Sequence, residues 1–203
     1  LYLVRRTNDG RITMLGESGL LALVLIALLS SLSFAHYGWC RFQAKSSGAS
    51  LTFISRLNAV FATFSLAVLA SLFLSDQFQF AYVAAHSNSA LPPFFKFAAV
   101  WGGHEGSMLF WVFTLCLWSG LISLHSLHQS RYFQNVLWVM SGFVAAFAWF
   151  TLLASNPFSY AELFVTEGRD LNPMLQDIGL IFHPPLLYLG YIGFSTVLAF
   201  ALA

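Results

Sequence analysis

Charge is what this chain has least of. Among 203 residues there are nine Lys or Arg and eight Asp or Glu, 8% in all, where soluble domains carry about 25%. That excludes an ordinary soluble enzyme, and a net charge of +1 leaves no basic footprint for nucleic acid. Cysteine is nearly absent too. Cys40 and Cys116 form no CxxC or other metal-ligand spacing, so they read as small buried apolar residues. No nucleotide-binding loop, Ser-His-Asp order or pair of catalytic acids occurs, and there is no repeat or low-complexity tract. The acids are confined to loops and helix ends; Glu17, at the end of the first span, is the nearest candidate for the intramembrane acid expected of an ion-coupled transporter, and no acid lies within the body of a span.

What fills the chain instead is apolar and aromatic: 58% hydrophobic residues, with 22 Phe and 6 Trp, and a mean hydropathy of +0.73. Spanning the hydrocarbon of a bilayer takes about 20 such residues. Five stretches qualify, Leu15–Ala35, Leu51–Ser75, Ser107–Leu127, Phe133–Ser155 and Leu180–Ala203. The expected fold is therefore all-α, a polytopic membrane helix bundle in contact with the lipid bilayer. The last stretch is still apolar at Ala203, which reads as a fragment. No secretory cleavage site is evident, so the first span is expected to stay as an anchor.

The connections alternate between short (His36–Ser50 and His128–Tyr132) and long (Asp76–Gly106 and Asn156–Gly179). The short ones, with the adjoining helix ends, hold Arg41, Lys45, Arg56 and Arg131 and no acid. The long ones hold Lys96 and Arg169 against Asp76, Glu105, Glu162, Glu167, Asp170 and Asp177. Positive charge marks the cytoplasmic side, so the long loops are expected to face outward, into the periplasm of a bacterium. Arg56, near the start of its span, is expected to snorkel to the interface. Arg5, Arg6 and Arg11 run against this orientation. Residues 1–13 are thus expected to be an upstream extension or a mistranslated leader, or else a native tail that breaks the rule, with 14–203 as the membrane part.

Three segments carry candidate chemistry. Trp101-Gly102-Gly103-His104-Glu105-Gly106-Ser107 ends the first long loop. Ser107 is placed to cap the third span, and the segment reads either as a structural cap or as a polar lining facing a cofactor or partner. Met108 stands where a zinc-protease HExxH pattern needs its second histidine. Glu167-Gly168-Arg169-Asp170-Leu171-Asn172-Pro173-Met174-Leu175-Gln176-Asp177 precedes the last span. There Arg169 and Asp170 can pair, Asn172-Pro173 signals a turn, and Asp177 is placed to cap the next helix. His183, followed by Pro184 and Pro185, heads the last apolar run. An imidazole at a membrane boundary can ligate haem iron or another metal, or simply hydrogen-bond a carbonyl or water. The two prolines are expected to mark the helix start. His86 shares that side in a loop. His125 and His128, three apart, are expected to form an interfacial pair on one helix face at the opposite end.

Together the three segments, with Thr151-Leu152-Leu153-Ala154-Ser155-Asn156-Pro157-Phe158-Ser159 and Tyr82-Val83-Ala84-Ala85-His86-Ser87-Asn88-Ser89-Ala90-Leu91-Pro92, resemble the N-terminal part of the CcmF/NrfE-type cytochrome c haem lyase subunits. His86 departs from the small polar residue expected there. The likeness runs from about Met14 to Ala203, so residues 1–13 fall outside it. It implies a multi-pass bacterial inner-membrane protein of cytochrome c biogenesis, helping to attach haem to the CxxCH cysteines of apocytochrome c. Its partners would be a haem chaperone and subunits that handle the apocytochrome thiols. His183 would be an axial ligand of the haem iron, matching the first of two outer-face family histidines. The ligands of a b-type haem, the second outer-face histidine and a Trp-rich segment would lie beyond Ala203. No residue here is assigned a catalytic role, and the fragment alone is expected to be inactive. Trp101, Gly102, His104, Glu105, Gly106, Ser107, Arg169, Asp170, Asn172, Pro173, Gln176, Asp177, Pro184 and Pro185 would line or support the site, with Arg169 and Asp170 as candidates for haem propionate contact. A haem or small-molecule exporter, and a scaffold without a cofactor, are the competing function classes.

Overall fold

The computed structural model describes residues 2–43, 48–163 and 165–203, with side chains from Met14 onward except at Gly48. The side chains of Arg5, Arg6 and Arg11, and the whole of Lys45, lie outside the described residues. The chain forms α1 (Tyr2–Phe42), α2 (Gly48–Leu74), α3 (Ala81–His86), α4 (Pro93–Ala99), α5 (His104–Leu124), α6 (Arg131–Ala154), a 3₁₀ turn (Pro173–Leu175) and α7 (Ile178–Leu202). Five of these helices are long and apolar enough to cross a membrane: Met14–Phe42 of α1, Ala49–Leu74, α5, α6 and α7. The protein is a multi-pass membrane helix bundle, as its composition required.

α1, α2, α5 and α6 pack as a ring of neighbours, and α7 lies against α5 and α6. The core is built from Leu23, Ile26, Leu69, Phe73, Leu109, Leu115, Cys116 and Met140, all buried. Lipid tails are as apolar as these side chains, so burial alone does not hold helices together in a bilayer; close packing and interhelical hydrogen bonds must. Polar groups supply them. Asn58 donates to Ser30 Oγ at 2.9 Å, and Ser65 Oγ donates to the Gly19 carbonyl at 2.9 Å, both tying α2 to α1. Gln134 of α6 donates to Thr52 of α2 at 3.0 Å.

The spans differ from the sequence reading at their ends. α1 runs on through His36–Phe42, which hydropathy placed in a loop. A helix needs its backbone ladder closed, not an apolar sequence, and nothing between His36 and Phe42 breaks it. Arg41 is held there by Asn135 Oδ1 and by the face of Trp138, with its guanidinium carbon 5.7 Å from the ring centroid. Arg56, exposed near the start of α2, donates to Ser123 Oγ at 3.2 Å and to the Ser123 carbonyl at 2.6 Å, closing the last turn of α5. That turn stops at Leu124, so His125 and His128 do not share a helix face. His125 stacks on Phe133 at 4.9 Å, and His128 Nδ1 lies 2.7 Å from the His125 carbonyl in the connecting turn.

The two long loops form one layer across an end of the bundle. An antiparallel bridge joins Phe80 to Tyr160, with Ala81 N–H on the Ser159 carbonyl and Ala161 N–H on the Gln79 carbonyl, each at 2.9 Å. Phe80 is buried and stacks on Tyr160 at 5.1 Å. Asp76 turns the chain out of α2 with φ 54°, a conformation Asp and Asn tolerate better than most residues. Its carboxylate takes the buried Lys96 ammonium at 2.6 Å and 2.7 Å, fixing α4 against the end of α2.

Breaking a buried pair from one side leaves a desolvated charge. Asp76→Asn, which keeps the backbone preference, should therefore cost on the order of 3 kcal/mol and lower the thermal unfolding midpoint in detergent. Adding Lys96→Met to Asp76→Asn should recover most of that loss in the same measurement.

Candidate functional site

Pro184 and Pro185 lie inside α7, not at its start. The helix opens at Ile178 because Asp177 caps it as expected, its carboxylate accepting the Gly179 N–H at 2.6 Å. Proline has no N–H, so Pro184 leaves the Leu180 carbonyl, four residues back, without its helical donor. Trp101 supplies one: its indole N–H donates to the Leu180 carbonyl at 2.9 Å. The Trp101 ring is buried, edge-on to Phe97 at 5.0 Å and Phe110 at 5.7 Å. The first and third sequence segments thus meet through one bond, made where proline opened the ladder. His183 lies between the freed carbonyl and the prolines.

The His183 imidazole is exposed, and among the described residues no hydrogen bond or ring contact engages it. It shares a helix face with Leu186, Leu187, Gly190, Phe194, Val197 and Leu198, and this whole face is exposed. No group of three or more metal-ligating side chains occurs among the described residues. The chain therefore offers a single free imidazole above an apolar helix face. Such a nitrogen could hold a haem iron, and the described residues group no further metal ligands around it.

The Trp-Gly-Gly-His-Glu-Gly-Ser segment starts α5 a turn earlier than the sequence suggested. Gly103 is the N-cap and Ser107 lies inside the helix, its N–H on the Gly103 carbonyl at 3.0 Å and its Oγ donating to the His104 carbonyl at 2.8 Å. The cap comes from a residue outside the segment. The buried Tyr82 hydroxyl accepts the Gly103 N–H at 3.0 Å and donates to the Ala99 carbonyl at 3.0 Å, so it joins the end of α4 to the start of α5. Burial pushes this phenol far above its ordinary pKa, which keeps its proton in place as a donor. Gly106 is required by space: a Cβ there would lie 1.7 Å from the Val100 carbonyl oxygen. Gly102, partly buried, sits beside Leu171 of the second loop. His104 is exposed, with its ring edge-on to Phe150 at 6.5 Å. Glu105 is partly buried in the first turn of α5, where the helix dipole favours an anion. It lines a cleft of about 460 Å³ with Tyr82, Ser155, Asn156 and Ser159.

The second loop is held by its own polar residues and by the first loop. Arg169 N–H donates to the Ala84 carbonyl at 2.8 Å, and Asp170 N–H to the Ser87 carbonyl at 3.3 Å. Gly168 passes so close that a Cβ would lie 1.9 Å from the Ser87 oxygen. Arg169 and Asp170 do not pair. Asp170 has φ 82° and turns its carboxylate back onto the Leu171 N–H at 2.7 Å and toward the Gln176 amide at 3.5 Å. Gln176 also donates to the Leu171 carbonyl at 3.0 Å. Asn172 accepts the Met174 N–H at 3.0 Å, capping the 3₁₀ turn that Pro173 begins. These residues fold the loop and bury Leu171. The Arg169 side chain is left exposed beside a cleft of about 310 Å³ that Glu162 also lines. Glu167 accepts the Ser89 N–H at 2.8 Å and the Ser89 hydroxyl at 2.7 Å. Those bonds hold its carboxyl below the usual carboxylate range. Tyr82, Ser89, Leu171 and Leu180 are the supporting residues that motif reading passed over. Of these, only Leu180 had a local signal, its position four residues before a proline.

The family described as cytochrome c assembly protein matches residues 101–203, a stretch that includes all three segments. The cytochrome c-type biogenesis protein NrfE of Haemophilus influenzae is 50% identical over 151 residues, 74% of this chain and 24% of that protein. The cytochrome c-type biogenesis protein CcmF of Escherichia coli is 44% identical over 189 residues, 92% of this chain and 29% of that protein. A solved structure of the cytochrome c haem lyase CcmF has the same fold, with a TM-score of 0.74 over 91% of this chain and 29% of that one, at 22% identity. The chain spans less than a third of the length of each of these relatives.

The Trp101–Leu180 bond makes a double-mutant cycle decisive. Trp101→Phe keeps the ring and leaves the carbonyl unsatisfied, which should cost about 1–3 kcal/mol in thermal unfolding. Pro184→Ala restores the helical donor, so in that background Trp101→Phe should cost less than half as much. The Ser89–Glu167 clasp has a pH signature. A carboxyl with a lowered folded pKa contributes fully above its unfolded value, and that contribution is lost as pH falls through the folded one. The Ser89 amide resonance should hold steady at neutral pH and shift only below the range of a free glutamate, about pH 4.3. In Glu167→Gln the titration should vanish.

Proposed function

The chain belongs to the cytochrome c assembly protein family, and on that premise we propose that it is the N-terminal membrane part of a CcmF/NrfE-type haem lyase subunit. In this reading the complete protein works in cytochrome c biogenesis. It receives haem at the long-loop end, facing the periplasm, and helps to join it to the CxxCH cysteines of apocytochrome c. A haem chaperone and thiol-handling subunits are its partners, and the bacterial inner membrane is its place.

The observation that carries the reading is the free imidazole of His183 on the exposed apolar face of α7, one residue before the proline pair whose opened carbonyl Trp101 closes. When bound, haem supplies the vinyl groups to which cysteine thiols add. This chain's residues do simpler work. His183 would hold the iron through a ring nitrogen and so help to orient the group. Trp101 and Asp177 fix the first turns of the helix that presents it. Of the two long-loop cations, Lys96 is taken by Asp76. Arg169 is exposed and in no ion pair among the described residues, and it is the cation available to a propionate carboxylate. His104 and Glu105 flank the same loop layer as a polar lining, not as iron ligands in this reading. The b-type haem expected of the complete protein takes its ligands from beyond residue 203.

The test is His183→Gly in the complete protein. Holocytochrome c should fall at least tenfold at unchanged protein level, the haem absorption of the purified protein should drop, and added imidazole should restore part of both. Normal holocytochrome c in His183→Gly would overturn the assignment. Arg169→Gln should lower haem occupancy less than His183→Gly does, and unchanged occupancy would remove the propionate contact.

A further inference from the structure

The short-loop end, opposite the loop layer, carries a second arrangement that lies apart from the proposed haem site. Between α1 and α6 lies an apolar groove of about 580 Å³, lined by Phe34, Trp138, Val139, Gly142, Phe143 and Ala145 among others. Trp138 closes its mouth. The Trp138 ring stacks on Phe34 at 5.3 Å, and its indole N–H donates to the Phe34 carbonyl at 2.9 Å, so the ring is fixed from both sides. Above it stands Arg41, its guanidinium carbon 5.7 Å from the ring centroid. Arg131 opens α6 at the same end, one helical turn before the Asn135 that accepts from Arg41, and the Tyr37 ring lies 6.1 Å from Trp138.

The charge here is uncompensated. Residues 36–50 and 125–132 contain no Asp or Glu, and among the described residues no carboxylate pairs with Arg41 or Arg131. Asn135 accepts from Arg41 and neutralises nothing. Both arginines are exposed. The positive end of the α6 dipole adds to the same field. Trp39 and Phe42, 65% and 92% exposed, mark this level as the membrane–water interface. Two exposed cations at headgroup depth above an apolar groove within the span complement the shape and charge of one class of molecule.

We propose that this groove binds an anionic phospholipid, with the phosphate between Arg41 and Arg131 and an acyl chain along Trp138, Val139, Gly142 and Ala145. Basic residues near an anionic headgroup contribute about a factor of five each in affinity, and aromatic rings at the mouth suit the glycerol level. Zwitterionic lipid would gain the groove but not the charge.

The test is native mass spectrometry of the complete protein in detergent, titrated with phosphatidylglycerol or phosphatidylcholine of equal chain length. The wild type should retain one phosphatidylglycerol with at least tenfold preference. Arg41→Gln with Arg131→Gln should erase the preference while leaving phosphatidylcholine retention unchanged. Ala145→Phe, which fills the groove, should weaken retention of both lipids. Equal retention of the two lipids by the wild type, or a preference that survives loss of both arginines, would overturn the proposal. So would lipid retention that Ala145→Phe does not change, the result expected if a protein segment occupies the groove.

Discussion

One hydrogen bond organises the candidate site: the Trp101 indole on the Leu180 carbonyl. In a bilayer an open backbone carbonyl has no water to turn to. A proline within a spanning helix leaves a carbonyl that a neighbour can satisfy, and Pro184 creates that demand one residue after His183. The donor comes from Trp101, three residues before α5, so the α5 entry and the α7 entry hold a fixed relation. The exposed imidazole is set by that relation as well as by its own helix. Gly103, where a Cβ would lie 2.8 Å from the Tyr82 ring, lets the chain enter α5 under the Tyr82 hydroxyl.

The loop layer extends the same logic. Two long connections that would otherwise expose backbone groups pair with each other along Phe80–Tyr160 and again at Ala84–Arg169 and Ser87–Asp170. Polar side chains in the second loop are almost all used on their own backbone, which explains why so many occur together. Asp170, Asn172, Gln176 and Asp177 each satisfy an N–H or a carbonyl within six residues. Arg169 does not, and its exposure stands out because its neighbours are all engaged.

The five spans were legible because hydropathy and length are strong signals over 20 or more residues. The Asp177 cap was legible because the Asn172–Asp177 run stops where an apolar helix begins. The continuation of α1 to Phe42 was not, since its stability comes from Arg41 meeting Asn135 and Trp138, residues far away in sequence. Ser107 looked like a cap because its residue type suits one, yet Tyr82 took the role from 21 residues upstream of Gly103. α3 and α4 are too short to show a period. The three motifs were visible as motifs. What joins them is backbone to backbone, or indole to carbonyl, and such contacts leave little mark on residue type. Gly106 and Gly168 stood inside recognised segments, but the Val100 and Ser87 oxygens that exclude a side chain there appear only once the chain is folded.

Tryptophan recurs as the fastener. Trp101, Trp111 and Trp118 reach α7 at Leu180, Tyr191 and Leu189, while Trp138 and Trp149 reach α1 at Phe34 and Ser31. Of six tryptophans, only Trp39 stands without such an interhelical bond among the described residues. The molecule therefore carries its own set of optical gauges. Each indole reports, by emission colour or by a fluorine label on its ring, whether one named pair of helices is still in register, and Trp39 serves as the built-in blank.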